Sequence, residues 1–162
     1  MPAFQRILLC YDATREGRRA LRHGASLAER MKAETHLLAV LNSATWTQGV
    51  EIASTVPLDA LEQSAREILR DGIEKLAARG VIATAHFAIG DPLDRIPFFA
   101  NELKADLIVV GHRRSGRVRR WWSGKNDGLL LDRVSCAVLV AMEPEDVDTD
   151  ASEPEEVLSA RA

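Results

Sequence analysis

The feature that most constrains this chain is a regular alternation of short apolar runs with longer segments of helical periodicity. Continuous apolar runs of this length are typical of strands that are covered on both faces. They span residues 6–11, 35–41, 81–89, 105–111 and 136–141. Between them, apolar residues recur every three or four positions, as they do on the buried face of a helix. The sequence therefore predicts an α/β fold: a five-stranded parallel open sheet with helices on both faces.

The helical segments carry local start and stop signals. Thr14 is a suitable N-cap for the first helix, and a long second helix covers residues 58–80. The third follows the turn Gly90-Asp91-Pro92, which supplies a capping carboxylate and a proline at the first helical position. Pro97 is expected to kink this third helix or to delay its start. A short last helix is predicted over residues 129–134.

Length and composition limit the class of protein. The 162 residues are 46% apolar and 28% charged, which is the balance of one soluble globular domain. No apolar run approaches the ~20 residues of a membrane helix, and the first run is too short for a secretory signal. Cys10 and Cys136 lie inside apolar runs. We therefore expect a cytoplasmic protein with reduced, buried thiols.

The charge is unevenly distributed along the chain. Of 24 acids and 21 bases, eight acids and one base follow residue 140. The net charge is therefore about −7 in the tail and +4 in the rest. The tail also has two prolines and few apolar residues, a composition typical of solvated, disordered segments. We predict a folded domain over residues 1–142 and an acidic disordered tail over 143–162.

Three strand ends are candidate parts of a binding site. In open parallel sheets, ligands bind beyond the carboxyl ends of the strands, where the strand order reverses. Asp12 follows the first strand, Val40 lies near the end of the second, and Gly111 follows the fourth. Asp12 has two interpretations: it is an acceptor for a ribose or a base, or it is a turn residue that caps the first helix.

The segment after the fourth strand is the most unusual in the chain. Residues 111–126 contain three glycines, and six bases lie between Arg113 and Lys125 with no acid among them. Close backbone amides and positive charge suit a phosphate, but a solvated basic loop explains the same composition. Trp121 and Trp122 could stack on bases, although packing beside the last helix is the favoured interpretation.

Four sequence blocks follow one another along the chain: ILLCYDATREGRRAL, GDPLDRI, KADLIVVGHRRSG and CAVLVA. In this order they resemble the universal stress protein family over residues 5–142. The resemblance implies a Rossmann-like sheet with strand order 3-2-1-4-5. It also implies a homodimer that pairs the last strands, here through Val138, Leu139 and Val140, whose apolar edge is an association surface on physical grounds as well.

Nucleotide-binding members of that family carry G-x2-G-x9-G-[ST] after the fourth strand. Gly111 and Gly124 match the first and third glycines, whereas Arg114 replaces the second glycine and Lys125 the hydroxyl residue. The resemblance assigns the adenosine part to Asp12 and Val40. The implied cofactor site therefore comprises Asp12, Val40, Gly111, Arg114, Gly124, Lys125 and Asn126. Because Arg114 would obstruct the approach of phosphates, no cofactor is expected, with ATP as the alternative.

These observations favour a non-catalytic, homodimeric regulatory module of the stress response that acts on an unidentified protein partner. The alternative is an ATP-binding member of the family, either a nucleotide sensor or a very slow ATPase. No nucleophile–base pair or P-loop is present in the sequence, and the histidines and cysteines lack zinc-type spacing. We therefore expect neither an enzyme nor a metal site. A nucleic-acid partner is the least favoured interpretation, because the domain is only slightly basic.

Overall fold

Strands and helices alternate along the part of the chain that the structure describes. The structure is a computed structural model, and it describes residues 3–13, 15–41, 58–112 and 130–142. In chain order the elements are β1 (Arg6–Cys10), α1 (Arg15–Met31), β2 (Glu34–Leu41), α2 (Leu58–Ala77), β3 (Ala83–Ile89), α3 (Pro92–Glu102), β4 (Leu107–His112), α4 (Leu130–Arg133) and β5 (Ala137–Met142).

The strands form one parallel sheet in the order β3-β2-β1-β4-β5. This order confirms the predicted fold class. β1 lies in the centre, and Leu8 is in register with His36 of β2 on one side and with Ile108 of β4 on the other. Since β2 and β4 lie on opposite sides of β1, the order of the strands reverses between β1 and β4. Parallel sheets of this type open a crevice at that point.

Alternate residues of β1 feed two separate cores. Ile7 and Leu9 pack with α1 and α2 on one face of the sheet. Leu8 packs with α3 and α4 on the other face. All three side chains are at most 1% exposed. Burial on both faces explains why the strand sequences are continuously apolar instead of alternating with polar residues.

Two glycines set the distance between the helices and the sheet. A Cβ atom on Gly24 of α1 would lie 2.3 Å from Leu9 Cδ2, and one on Gly72 of α2 would lie 2.6 Å from Leu37 Cδ2. Real Cβ atoms do not approach other carbons this closely. Both helices therefore pack against the strands because a side chain is absent at these two positions.

The third helix starts where its cap predicts. The Asp91 carboxylate accepts a hydrogen bond from the Leu93 amide at 2.9 Å, and Pro92 is the first helical residue. Pro97 therefore does not delay the start of α3. Proline has no N–H to donate to the Leu93 carbonyl one turn back. That carbonyl instead lies 3.4 Å from Nη1 of Arg133 in α4, which also pairs with Asp94.

Several predicted features fall outside the described residues. They are the Thr14 cap, the basic segment with its two tryptophans, and the acidic tail. The boundary at residue 142 thus stays a prediction. Both cysteines are free, as expected, but they are half-buried, whereas the sequence predicted buried thiols. Within the described ranges, no helix is long and apolar enough to cross a membrane.

Candidate functional site

A small cleft lies at the carboxyl ends of β1, β2 and β4, and we call it the strand-end cleft. Its volume is about 40 Å³. It is lined by Cys10, Tyr11, Asp12, Gly17, Val40, Ile96, Val110 and Gly111. Three of the sequence-predicted site residues, Asp12, Val40 and Gly111, therefore meet at one place. Asp12 follows β1, whereas Val40 and Gly111 belong to the two strands beside it.

The connection from β1 to α1 shapes one wall of this cleft. Ala13 has a φ of 61°, in the left-handed region that residues other than glycine seldom adopt. Such a conformation costs on the order of 1 kcal/mol or more, and it is concentrated at functional sites and tight connections. The chain turns there so that α1 begins at Arg15 and buried Gly17, in its first turn, reaches the cleft. A helix N-terminus with a glycine at its first turn exposes backbone amides to an anion or a hydroxyl oxygen.

The polar and apolar lining groups have different roles. The Asp12 side chain is exposed and offers carboxylate oxygens as acceptors at the rim. Val40, Ile96 and Val110 give the cleft an apolar interior. Burial, and secondarily the charge of Asp12, raises the pKa of the Cys10 thiol far above its usual range. A raised pKa favours the protonated thiol over the reactive thiolate near neutral pH.

A buried tyrosine ties the β1 end of the cleft to α2. Tyr11 is 2% exposed, and its hydroxyl donates to the Asp71 carboxylate, which also pairs with Lys75. Burial and the Asp71 hydrogen bond raise the pKa of Tyr11 to about 12. The hydrogen bonds from Lys75 and then Tyr11 lower the pKa of Asp71. The phenol therefore stays a donor, and it holds the end of β1 in place.

The size of the cleft limits what it can hold by itself. A volume of about 40 Å³ has room for only a few water-sized groups, since one water molecule needs roughly 10–15 Å³ of such space. The cleft can therefore receive one edge of a ligand, such as the hydroxyls of a sugar, against the Asp12 carboxylate. From the rim the chain continues into residues 42–57 and 113–129. The remaining predicted site residues, Arg114, Gly124, Lys125 and Asn126, lie in the second of these segments, outside the described residues.

The described residues form no metal centre. Nowhere in the described ranges do three histidine, cysteine, aspartate or glutamate side chains group as a metal would require. His36 and His86, on β2 and β3, are hydrogen-bonded to each other, with Nδ1 and Nε2 2.9 Å apart. Sequence reasoning missed the link between Tyr11 and Asp71 and the contribution of Gly17 to the cleft. A sequence gives no local signal for the first, because the partners are 60 residues apart.

Comparison with known proteins identifies the protein family. The model of the Universal stress protein family matches residues 3–141, and the chain belongs to this family. A universal stress protein of Bacillus subtilis (YxiE) is 27% identical over 145 residues, which cover 85% of this chain and 98% of the relative. The family assignment predicted from the four sequence blocks is therefore confirmed.

Solved structures share the fold. A universal stress protein in complex with cAMP has a TM-score of 0.62 and 20% identity, over 85% of this chain and 97% of the other. A universal stress protein family protein from Arabidopsis thaliana with AMP bound has a TM-score of 0.61 and 17% identity, over 88% and 94% of the two chains. At these identities the likeness concerns the fold.

Proposed function

We propose that this protein is a cytoplasmic, non-catalytic regulatory module whose strand-end cleft takes the nucleoside part of an adenine nucleotide. The observation that carries the proposal is that Asp12, Val40 and Gly111 all line this cleft. In a sheet of this type, the strand ends beside the reversal of strand order are where ligands bind. Related folds with cAMP and AMP bound give the ligand class further support.

The proposal assigns unequal roles to the two ends of the nucleotide. Asp12 at the rim would accept hydrogen bonds from ribose hydroxyls, and Val40 would pack against the adenosine part. Arg114 and Lys125 depart from the glycine-rich phosphate pattern, and a side chain at position 114 hinders a close approach of phosphate to the backbone. Adenosine, AMP and ATP should therefore bind with similar, weak affinities.

An amide chemical-shift titration of the full chain tests this assignment. Adenosine, AMP and Mg-ATP at millimolar concentration should each shift the amides of Asp12, Val40 and Gly111. Asp12→Ala should abolish these shifts, whereas Asp59→Ala, which removes an exposed carboxylate on α2, should retain them. Absence of any adenosine shift at the cleft would refute the nucleoside site. Affinity for ATP ten-fold or more above that for adenosine would refute the minor role of the phosphates.

The edge of β5, which no other described strand covers, supports the second part of the proposal, action through association. β5 lies at one end of the sheet and pairs with β4 alone among the described strands. Its central residues Val138, Leu139 and Val140 are half-buried and apolar. The opposite edge strand, β3, is more polar, with Thr84 exposed and His86 half-buried. An apolar edge without lysine or proline favours strand pairing, and we assign the homodimer interface to β5.

A further inference from the structure

A groove between α1 and α2 combines an apolar floor with a positively charged rim. We call it the α1–α2 groove, and its volume is about 290 Å³. It is lined by Arg18, Leu21, Arg22 and Ala25 of α1, by Lys75 and Leu76 of α2, and by Ala78 and Arg79 beyond the end of α2. It lies apart from the strand-end cleft and shares no lining residue with it.

The charge of this groove is only partly balanced. Leu21, Ala25 and Leu76 are each at most 4% exposed and form the floor. Four cations surround them, and Asp71 is the acid that pairs with Lys75 and attracts Arg18. Counting these five side chains gives a local charge of about +3. A matching occupant would be a negatively charged peptide with an apolar pair of residues.

This chain contains such a peptide beyond the described residues. The acidic tail is net −7, and it includes the sequence Glu153-Pro154-Glu155-Glu156-Val157-Leu158. Val157 and Leu158 are the one pair of adjacent aliphatic residues larger than alanine in the tail, and they directly follow Glu155 and Glu156. The order of charges and apolar residues therefore complements a floor ringed by cations.

We propose that the acidic tail docks intramolecularly in the α1–α2 groove, with its glutamates on the cationic rim and Val157 and Leu158 on the apolar floor. The tail is long enough to reach. Glu153 lies 11 residues beyond Met142, where β5 ends, and these residues span up to about 36 Å when extended. α1 packs over β1, β4 and β5, and the tail follows β5. The same helix lines the groove, so α1 connects the start of the tail with the proposed docking site.

Other occupants of the groove and other partners for the tail make distinct predictions. The basic segment between Arg113 and Lys125 could attract the tail instead, and the tail of a second copy could fill the groove. The chain has four lysines, at positions 32, 75, 104 and 125, and only Lys75 lies in the groove. A reagent that joins lysine to a carboxylate in direct contact therefore reports where the tail lies.

Carbodiimide cross-linking of the full chain, followed by peptide mass spectrometry, is the test. Lys75 should join Glu153, Glu155 or Glu156, and the Lys75–Asp71 product serves as the internal reference because that pair is already in contact. A mixture of isotopically labelled and unlabelled protein separates links within a chain from links between chains. We expect links within a chain, with a tail product at Lys75 that exceeds those at the other lysines.

Variants of the rim sharpen the test. Arg79→Lys places an amine in the groove and should add a second tail link, whereas Arg70→Lys, which is exposed on α2 but outside the groove, should not. The double variant Arg22→Gln with Arg79→Gln should lower the tail yield about four-fold, since each exposed ion pair contributes a factor of roughly two. Predominant links to Lys125, predominant links between chains, or a yield unchanged by the double variant would overturn the proposal.

Discussion

At the scale of single residues, Asp12 shows how much its position in the sequence indicates about the strand-end cleft. Its place after a buried strand predicted either an acceptor for a ribose or base or a turn residue that caps the first helix, and the structure has it at the rim of the strand-end cleft. The next residue, Ala13, has a positive φ, so the chain turns immediately after the carboxylate. Both interpretations from the sequence therefore describe the same short connection, and the nucleotide experiment decides whether Asp12 contacts a ligand.

Ligand-induced stabilisation provides the first prediction at this scale. A ligand at ~100 times its dissociation constant stabilises a fold by about 2.7 kcal/mol. At roughly 2–4 °C per kcal/mol for a chain of this size, full occupancy should raise Tm by about 5–11 °C. We expect millimolar Mg-ATP to raise the Tm of the unmodified protein by much less, because Arg114 and Lys125 replace a glycine and a short hydroxyl residue.

A variant that restores the glycine-rich phosphate pattern provides the comparison with the unmodified protein. Arg114→Gly with Lys125→Ser should increase the ATP-induced rise in Tm, measured by scanning calorimetry. Asp12→Ala in that background should abolish the rise. A full rise in the unmodified protein would contradict the prediction and would make Lys125 a candidate phosphate ligand.

The histidine pair in β2 and β3 predicts a pH-dependent stability. One ring nitrogen of His36 and one of His86 share a hydrogen bond, which requires one of the two to be an unprotonated acceptor. Phe99 of α3 packs on His86, and the Glu34 carboxylate contacts His36 and Arg6. Burial, and then the charge of His36, lowers the pKa of His86 below its ordinary value of 6.5.

The sign of the effect follows from this lowered pKa. The unfolded state takes up the His86 proton at a higher pH than the folded state does. The stability is therefore fully present above pH 6.5 and is lost as the pH falls through the lower, folded-state pKa. The urea concentration at the unfolding midpoint should decrease as the pH is lowered from about 7.5 to about 5.5. This decrease should be smaller in His86→Gln. His23→Gln is the control, because His23 is exposed on α1. Equal decreases of the urea midpoint in the two variants would contradict the assignment to His86.

At the scale of elements, the ends of two helices explain why the strands that follow them begin later than the sequence predicted. Strands predicted from residues 81 and 105 begin at Ala83 and Leu107. Val81 and Ala105 instead donate their amides to carbonyls of the preceding helices, at 3.0 Å and 2.9 Å. The residue before each has a positive φ, as in a common helix-terminating motif. An apolar residue that closes a helix is indistinguishable in sequence from the first residue of a strand.

The periodicity nevertheless predicted the sheet, the faces and the order of elements, because burial of the central strands on both faces makes their sequences largely apolar. Contacts between side chains far apart in sequence could not be predicted in this way. Tyr11 and Asp71 are 60 residues apart, and His36 and His86 are 50 apart. Their partners depend on which strands become neighbours, and local spacing does not encode that choice.

Helix-to-sheet packing predicts a cost for adding a single methyl group. Gly24→Ala should destabilise the protein by about 1–3 kcal/mol, since the added Cβ would lie 2.3 Å from Leu9 Cδ2. Alanine is intrinsically better in a helix by about 1 kcal/mol, so a net loss of stability reports the steric conflict. His23→Ala, which is exposed on the same helix, should be neutral or stabilising in urea unfolding. A more stable Gly24→Ala protein would mean that α1 shifts freely on the sheet.

The β5 edge predicts the oligomeric state. The Ala137 amide donates to the Asp106 carbonyl on the β4 side, so the next amide, that of Val138, faces the outer edge of β5. Val138→Pro removes this outward donor and should leave a folded monomer by light scattering and circular dichroism. Thr84→Pro, on the opposite edge strand, should leave the dimer in place. A well-folded dimer from Val138→Pro would show that the interface lies elsewhere.

At the scale of the whole molecule, the cationic groove and the strand-end cleft lie at different places on the same sheet. The α1–α2 face carries the cationic groove, while the strand ends above the centre of the sheet carry the cleft. Tyr11 lines the cleft, and Asp71, which it contacts, pairs with Lys75 of the groove. A tail docked in the groove would therefore lie one hydrogen-bonded pair away from the proposed nucleoside site.

Removal of the tail tests this arrangement in the whole molecule. A chain that ends at Met142 should fold, because residues 3–142 already contain two hydrophobic cores within their described parts. Loss of the docked tail should lower Tm by a few degrees at low salt, since each exposed ion pair contributes at most about 1 kcal/mol. At about 1 M salt the Debye length is about 3 Å, and most of the difference in Tm between full-length and shortened chains should vanish.

The dependence on salt separates the outcomes of that comparison. A loss of more than about 10 °C at any salt concentration would exceed what a few exposed ion pairs supply, and the predicted domain boundary would then be wrong. Equal Tm values for the two chains at both salt concentrations would contradict docking. A small loss that persists at high salt would mean that Val157 and Leu158 supply most of the contact, because burial of apolar side chains is not screened. Val157→Ser with Leu158→Ser in the full chain should then reproduce the effect of truncation.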